Sequence, residues 1–451
     1  MSDATDEPNT KGPAKVLAGV RVFEVGTAIA SPAIGKYLAN FGADVLKVES
    51  RNNPDVVRAL GSAWAAGVEE LAPFFCDTGP YVTEMNAGKR SVALDLKRPE
   101  AIEAAQAILA HCDVFITNIT TPAMAALGLS YEAVKAVRPD IIYVALPGFG
   151  SDPTSLYYEY VAWGPNQAPL VGLDNLTGYP DQEPAGVASV ALPDYISALH
   201  GAIAVLAALE YRDRTGEGSF VDISQFEANV NLLGPFVYEQ ALNGTETRRM
   251  GNRTPWSAPE GVYPCRDGDS WVAISVTSDA AWCRLGRVIG ADWCSEARYA
   301  TTEGRIADHD LIDEEIAAWT RGYTPAEVAT MAQAQGVAAH ALIWSEHSII
   351  DPQIRDRQMF HAGPSGRFDV DLWTGVPITL SDSKSGLERA GPAFGEHTAE
   401  VLTDLAGYDE EKIAQLADAE VAYLQHEPDH RLTRPYAGYI PFLVPSYVEE
   451  I

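Results

Sequence analysis

Cysteine is scarce in this 451-residue chain: Cys76, Cys112, Cys265, Cys283 and Cys294 are odd in number and form no C-x-x-C pair. That spacing argues against a disulfide framework or a zinc ribbon and fits a reducing cytoplasm. Basic charge is scarce too, since 32 lysines and arginines face 62 acidic residues for a formal charge of -30. A field of that sign repels nucleic acid and anionic membrane surfaces, so neither is expected as a partner, and the acidity reads as a solubility feature. The longest apolar run, Tyr195 to Leu209, is shorter than the roughly 20 residues of a membrane span and contains His200, so it reads as a core helix. The opening MSDATDEPNTKGPAK lacks the basic and apolar blocks of a signal peptide and reads as a loose tail.

Several chemical signatures are also missing. The segment after the first expected strand, GTAIASPAIG, lacks the G-x-G-x-x-G spacing that admits a dinucleotide pyrophosphate, so NAD is not expected. No P-loop, H-E-x-x-H helix or G-x-S-x-G elbow occurs. The nine histidines show no ligand spacing, with His340 and His347 reading as helix surface, and no metal site is expected.

What is present is a folded chain, 47% hydrophobic and 21% charged, whose length predicts two or three domains at about 150 residues each. From residue 17, short β-branched runs (VRVFEVG, ADVLKVE, SVALDL, DVFITN, IIYVAL) alternate with helical segments, the pattern of an open, mainly parallel sheet covered on both faces. Residues 151–190 are dense in Gly, Pro, Asn and Asp and read as one long loop walled by aromatics. GVYPCRDGDSWVAISV reads as a hairpin, and 278–340 turns helical and acidic. The expected organisation is a tail over 1–16, a large α/β domain over 17–225, a linker helix and smaller α+β domain over 226–345, and a return to the large domain with a C-terminal extension over 346–451.

In ALPDYISALHGA a single carboxylate, Asp194, follows Pro193 at the mouth of the apolar run. Asp is a common helix N-cap, and that reading of Asp194 predicts a loss of about 1 kcal/mol on removal. A second reading comes from seven ordered blocks: FGADVLKVES, MNAGKRSVALDLKRPE, DVFITN, ALGLSYEAVKAVRPDIIYVALPGFG, RTGEGSFVDIS, DPQIRDRQMF and FGEHTAEVL. Over roughly residues 17 to 420 they resemble the family III CoA-transferases, the superfamily of formyl-CoA transferase, carnitine CoA-transferase and α-methylacyl-CoA racemase.

The resemblance implies a Rossmann-like large domain and a dimer of two chains threaded through each other like linked rings. It implies CoA, carried as acyl-CoA, and a small carboxylic acid as substrates, with succinyl-CoA a candidate donor. It makes Asp194 the nucleophile, because the family's aspartate opens a helix a fixed distance before the turn that RDRTGEG matches. A carboxylate of ordinary pKa, about 3.9, is ionised at pH 7 and attacks a thioester carbonyl, and a helix N-terminus helps to keep it ionised. For CoA the matching positions are Ala28, Ala30, Ser50, Leu94, Lys97, Asn118, Ile119 and Ala123. Ala126 stands where many members carry a phosphate-binding arginine, and Thr117 where an acidic residue is usual, so phosphate binding is left to Arg51, Lys89, Arg90 or Lys97.

The racemase branch uses the histidine of a G-H-D motif as an acid/base group, and here those positions read Gly164, Pro165 and Asn166. Without that base, CoA transfer is favoured over racemisation. His200 reads as a hydrogen-bonded core residue. Two alternatives stand beside the transferase homodimer: an acyl-CoA racemase or isomerase, and a non-catalytic subunit of a heteromer with a paralogous partner.

Overall fold

The computed structural model describes residues 14–58, 77, 79–187, 191–365 and 368–425. Most of the expected tail, Cys76 and the C-terminal extension from 426 therefore lie outside the described residues. The chain divides into two compact units, one of residues 1–171, 188–234 and 349–451, the other of 172–187 and 235–348.

In the first unit, β1 (Arg21–Glu24), α1 (Ala30–Asn40), β2 (Asp44–Glu49), α2 (Pro80–Asn86), β3 (Arg90–Leu94), α3 (Pro99–Leu109) and β4 (Val114–Thr117) follow in chain order. Then come α4 (Thr121–Ala126), α5 (Tyr131–Val137), β5 (Ile142–Ala145), α6 (Gly164–Leu170), α7 (Leu173–Leu176, already in the second unit), α8 (Leu192–Thr215), β6 (Ser219–Asp222) and α9 (Gln225–Leu232). The strands form one sheet in the order β3-β2-β1-β4-β5-β6, all parallel, with Ala422–Tyr423 added antiparallel at the β3 edge. Both faces are covered, as near-continuous apolar strands require. Phe23, Leu46, Phe115 and Tyr143 point into one core and Val22, Val45, Val114 and Ile142 into the other.

Two elements depart from expectation. The stretch 151–190 is not one loop, because it contains α6 and α7. Pro165 fits the first turn of a helix, where its missing N–H is not needed, and the Asn166 carboxamide accepts the Trp163 N–H at 2.7 Å. Turn residues here mark helix starts. The Tyr195–Leu209 run is only the middle of a 24-residue helix, so length does not exclude a span. It is also not a fully buried core helix: Ala198, Gly201, Val205 and Ala208 are buried, while Leu199, Ile203 and Leu206 are 49%, 67% and 45% exposed. Apolar composition alone does not separate a helix buried all round from one with a single buried stripe.

The second unit carries a three-stranded antiparallel sheet of Glu260–Pro264, Trp271–Ser275 and Ala338–Ala341, in which the expected hairpin pairs Tyr263 with Val272. Helices Asp279–Ile289, His309–Thr320 and Pro325–Ala334 supply its own core with Trp282, Ile312 and Val328. His340, read as helix surface, lies on a strand of this sheet.

Candidate functional site

In a doubly wound sheet, ligands bind beyond the carboxyl ends of the strands where the strand order reverses. That point here lies between β1 and β4. Thr27, just past β1, and Asn118, just past β4, meet there: the Thr27 N–H donates to Asn118 Oδ1 at 2.9 Å, and Asn118 Nδ2 donates to the Thr27 carbonyl at 2.8 Å. A cavity of about 230 Å³ opens beside them, lined by Gly26, Thr27, Ser50, Asp55, Lys97 and Ile119. A neighbouring cavity of about 590 Å³ is lined by Arg51, Leu94 and Tyr423 and shares Asn52 and Asp95 with the first. Asp95 organises that shared rim, accepting from the Ser50 hydroxyl at 3.3 Å, Asn52 Nδ2 at 3.0 Å and the Lys97 N–H at 3.3 Å.

The fold thus gathers Ser50, Lys97 and Ile119 around one cavity and Arg51 and Leu94 around the next, with Ala28 and Asn118 both bonded into the β1 turn. Ala30 opens α1 with its side chain in the core, so only its backbone can serve a ligand. Ala123 sits half-buried on α4 and lines neither cavity. Of the four basic candidates for phosphate, Lys89 and Arg90 are held by buried or part-buried internal partners, whereas Arg51 and Lys97 lie at the surface. Lys89 is fully buried and donates to Glu24, the Pro32 carbonyl and Asn86, and burial lowers its pKa to about 8 despite Glu24. Arg90 is held by Asp44 and Glu400. Arg51 and Lys97 are both exposed, with the Arg51 guanidinium 5.2 Å from the Tyr423 ring.

Asp194 lines neither cavity, and α1 connects the two places. It begins just past the β1 turn, and its Ile34 packs so closely on Gly201 of α8 that a β-carbon there would come within 2.3 Å of it. On α8 Asp194 is not the N-cap. That position is Ala191, in left-handed backbone at φ 46°, and Asp194 stands three residues in, its N–H donating to the Ala191 carbonyl at 3.0 Å. The helix mouth is tied down by the Pro193 carbonyl, which accepts from the Ser197 hydroxyl at 2.7 Å and Asn229 Nδ2 at 3.2 Å. Asp194 is only 8% exposed, and among the described residues no other side chain hydrogen-bonds its carboxylate. Its Oδ2 rests against Gly164, the first residue of α6.

The ordinary carboxylate pKa expected of Asp194 is corrected here, although the group stays ionised at pH 7. Burial raises the pKa to about 6, against the lowering effect of its own backbone N–H. Desolvating a carboxylate that has no cation outweighs the partial charge of a helix end. The group is still ionised in roughly nine of ten molecules at pH 7. A buried, unpaired, ionised carboxylate costs stability, which marks a reactive position better than a structural one. His200 is half-buried, its Nδ1 2.9 Å from the Ile196 carbonyl.

Thr27, Lys47 and Asp55 are structurally prominent here and were not singled out from sequence, where Gly164 stood only as the glycine of the G-H-D match. For Lys47 a signal existed: VFEVG and VLKVE each put one charge inside an apolar strand, and Glu24 and Lys47 prove to be register partners with Lys47 Nζ 3.4 Å from Glu24 Oε1.

The model of CoA-transferase family III matches residues 17–398. The chain is 31% identical to the succinyl-CoA–D-citramalate CoA-transferase of Chloroflexus aurantiacus, over 90% of this chain and 98% of that one. It is also 31% identical to the succinate–glutarate CoA-transferase of Agrobacterium fabrum, over 89% and 98%. The crystal structure of a CAIB/BAIF family protein from Brucella suis matches with a TM-score of 0.77 and 28% identity, over 87% of this chain and 100% of that one. With the family model spanning so much of the chain, and with a doubly wound sheet like that of its solved relative, the chain belongs to the family III CoA-transferases.

Proposed function

We propose that this enzyme moves CoA from an acyl-CoA donor, succinyl-CoA, to a small carboxylic acid, with Asp194 as the nucleophile. The observation that carries the reading is the buried carboxylate of Asp194, without a side-chain partner among the described residues and packed against a residue that has no side chain. The succinyl donor is drawn from the relatives' names.

The chemistry follows from one carboxylate. An Asp194 oxygen attacks the thioester carbonyl and the C–S bond breaks, leaving a mixed anhydride and CoA thiolate. A thiol whose pKa is about that of cysteine, 8.5, leaves as thiolate without a general acid. The thiolate then attacks the aspartyl carbonyl of the anhydride, which releases the donor acid and leaves an aspartyl-CoA thioester. The acceptor carboxylate attacks that thioester, forming a second anhydride and freeing the thiolate again. Thiolate attack on the acceptor's acyl carbon yields the new acyl-CoA and restores Asp194. Burial of Asp194 favours the first attack, because a carboxylate stripped of water is a stronger nucleophile than a hydrated one. Lys97 and Arg51 meet the CoA phosphates at the sheet's carboxyl edge.

Racemisation lacks a base at the matching position. Pro165 follows Gly164, which touches Asp194, and carries no titratable group. In the assembled enzyme we place two copies of this chain as the family's linked rings. The exposed Leu199, Ile203 and Leu206 of α8 support an apolar interface in the first unit. The test of the nucleophile is direct: incubate the pure protein with a panel of acyl-CoAs, trap with hydroxylamine, and map the modified peptide by mass spectrometry. Modification at Asp194, absent from Asp194→Ala, is the expected result; a modified carboxylate elsewhere refutes it. Full activity of the chain purified alone excludes the silent-subunit alternative.

A further inference from the structure

The turn between β1 and α1 is clamped more firmly than a loop needs for chain connectivity alone. Ala28 adopts φ 60°, a left-handed conformation that alanine rarely takes and that glycine would adopt freely. Its shape is imposed by side chains from elsewhere. Asp55 Oδ1 accepts the Ala28 N–H at 2.8 Å, the Thr27 hydroxyl at 3.1 Å and the Val57 N–H at 3.2 Å. Asp55 Oδ2 accepts from Lys47 Nζ at 2.7 Å, and Lys47 also donates to the Gly26 carbonyl. On the other side Asn118 satisfies both backbone groups of Thr27. Gly26 cannot move aside for a side chain, since a β-carbon there would lie 2.3 Å from Ser31 Oγ.

Two further facts give the clamp a purpose. Asp55 is buried, yet it lines the 230 Å³ cavity together with Gly26 and Thr27. An acidic side chain facing a cavity meant for an anionic ligand repels it unless neutralised. Lys47, fully buried, does so at contact distance, with Glu24 balanced in turn by Lys89. The arrangement spends a buried ion pair to hold three residues of backbone at the rim of the cavity.

We propose that Asp55, oriented by Lys47, is a positioning residue for acyl-CoA: it keeps the Gly26–Ala28 turn in the single shape whose backbone meets the nucleotide portion of the substrate. The proposal rests on the reading of this cavity as the CoA site. It separates binding from chemistry, because Asp55 acts on the turn and does not share a cavity with Asp194.

The experiment measures CoA affinity by calorimetry, with KM and kcat for succinyl-CoA, in wild type, Asp55→Ala, and the double variant Asp55→Ala with Ala28→Gly. Asp55→Ala raises the CoA Kd and the KM at least tenfold while kcat changes less than threefold. Adding Ala28→Gly restores at least a third of the lost affinity, since glycine takes the left-handed turn without Asp55 to hold it; a role in general stability would not be rescued this way. Unchanged affinity in Asp55→Ala, a fall in kcat with affinity retained, or no rescue by glycine each overturns the proposal. If Asp55→Ala does not fold, Thr27→Val decides in its place: about a threefold rise in KM at constant kcat supports the clamp, and an unchanged KM overturns it. Wild-type protein that binds no CoA refutes the site itself, and Asp194→Ala binding CoA with wild-type affinity sustains the site whatever Asp55 does.

Discussion

Oδ2 of Asp194 lies so close to Gly164 that a β-carbon added there would stand 2.1 Å away, nearer than non-bonded atoms approach. Gly164→Ala therefore pushes the carboxylate from its place, although alanine suits the helical backbone of α6 at least as well as glycine. A displacement of about 1 Å at a reacting group costs on the order of 100-fold in rate. The expected outcome is a kcat lower by about that factor with a thermal midpoint unchanged or slightly raised. Normal turnover in Gly164→Ala refutes the close fit.

If Asp194 is the nucleophile, as proposed, its protonation removes the attacking group. With its pKa raised to about 6 by burial, kcat/KM is flat above pH 7 and falls towards tenfold per pH unit below 6. A profile breaking near pH 4 instead contradicts the desolvation of this group.

The same burial predicts a stability effect of opposite sense to the catalytic one. The folded pKa of about 6 exceeds the ordinary 3.8, so the fold prefers the protonated form. Below pH 4 the group is neutral in both folded and unfolded chains and costs nothing. The penalty grows from pH 4 to 6 and is complete above 6, on the order of 2–3 kcal/mol. Asp194→Asn is thus expected to lose turnover yet unfold at a higher temperature than wild type at pH 8, the two converging near pH 4. Thermal melts at the two pH values measure it.

Lys97 is exposed and lines the smaller cavity, whereas Lys89 is sealed inside and paired. Lys97→Ala raises the KM for acyl-CoA about tenfold at low salt, a gap that narrows as ionic strength rises. Lys89→Met instead lowers the thermal midpoint, because it leaves Glu24 buried with one cation fewer. A KM insensitive to Lys97→Ala removes that lysine from the site.

Ile203 is the most exposed apolar side chain of the α8 face, at 67%. If a second copy covers that face, Ile203→Glu buries a charge there, and sedimentation velocity shows monomers where wild type sediments as a dimer. An unchanged sedimentation profile refutes the placement of α8 in an interface.

Much of this was legible from order along the chain. Alternating apolar strands and amphipathic helices announce a parallel sheet, because strands buried on both faces must be apolar throughout, and Asp194 stands out as a charge at the start of an apolar run. What misled was local. Pro165 and Asn166 read equally well as turn or as helix start, since both depend on the same missing N–H and the same capping carboxamide. The apolar α8 looked like core because composition does not record which stripe faces in.

Sequence by itself determined the alternation of strands and helices over the first 150 residues, the family, and Asp194 as the carboxylate to watch, all of them properties of neighbours in the chain or of ordered motifs. Tertiary structure alone decided that Gly164 meets Asp194 from 30 residues away in sequence. It decided that Lys89 and Arg90 are spent on internal partners while Lys97 lies exposed at a cavity, and that Asp55 and Lys47 hold the β1 turn. It also raised the Asp194 pKa to about 6. Each of these depends on how much water and which charges surround a group, and that environment exists only once distant segments have packed together.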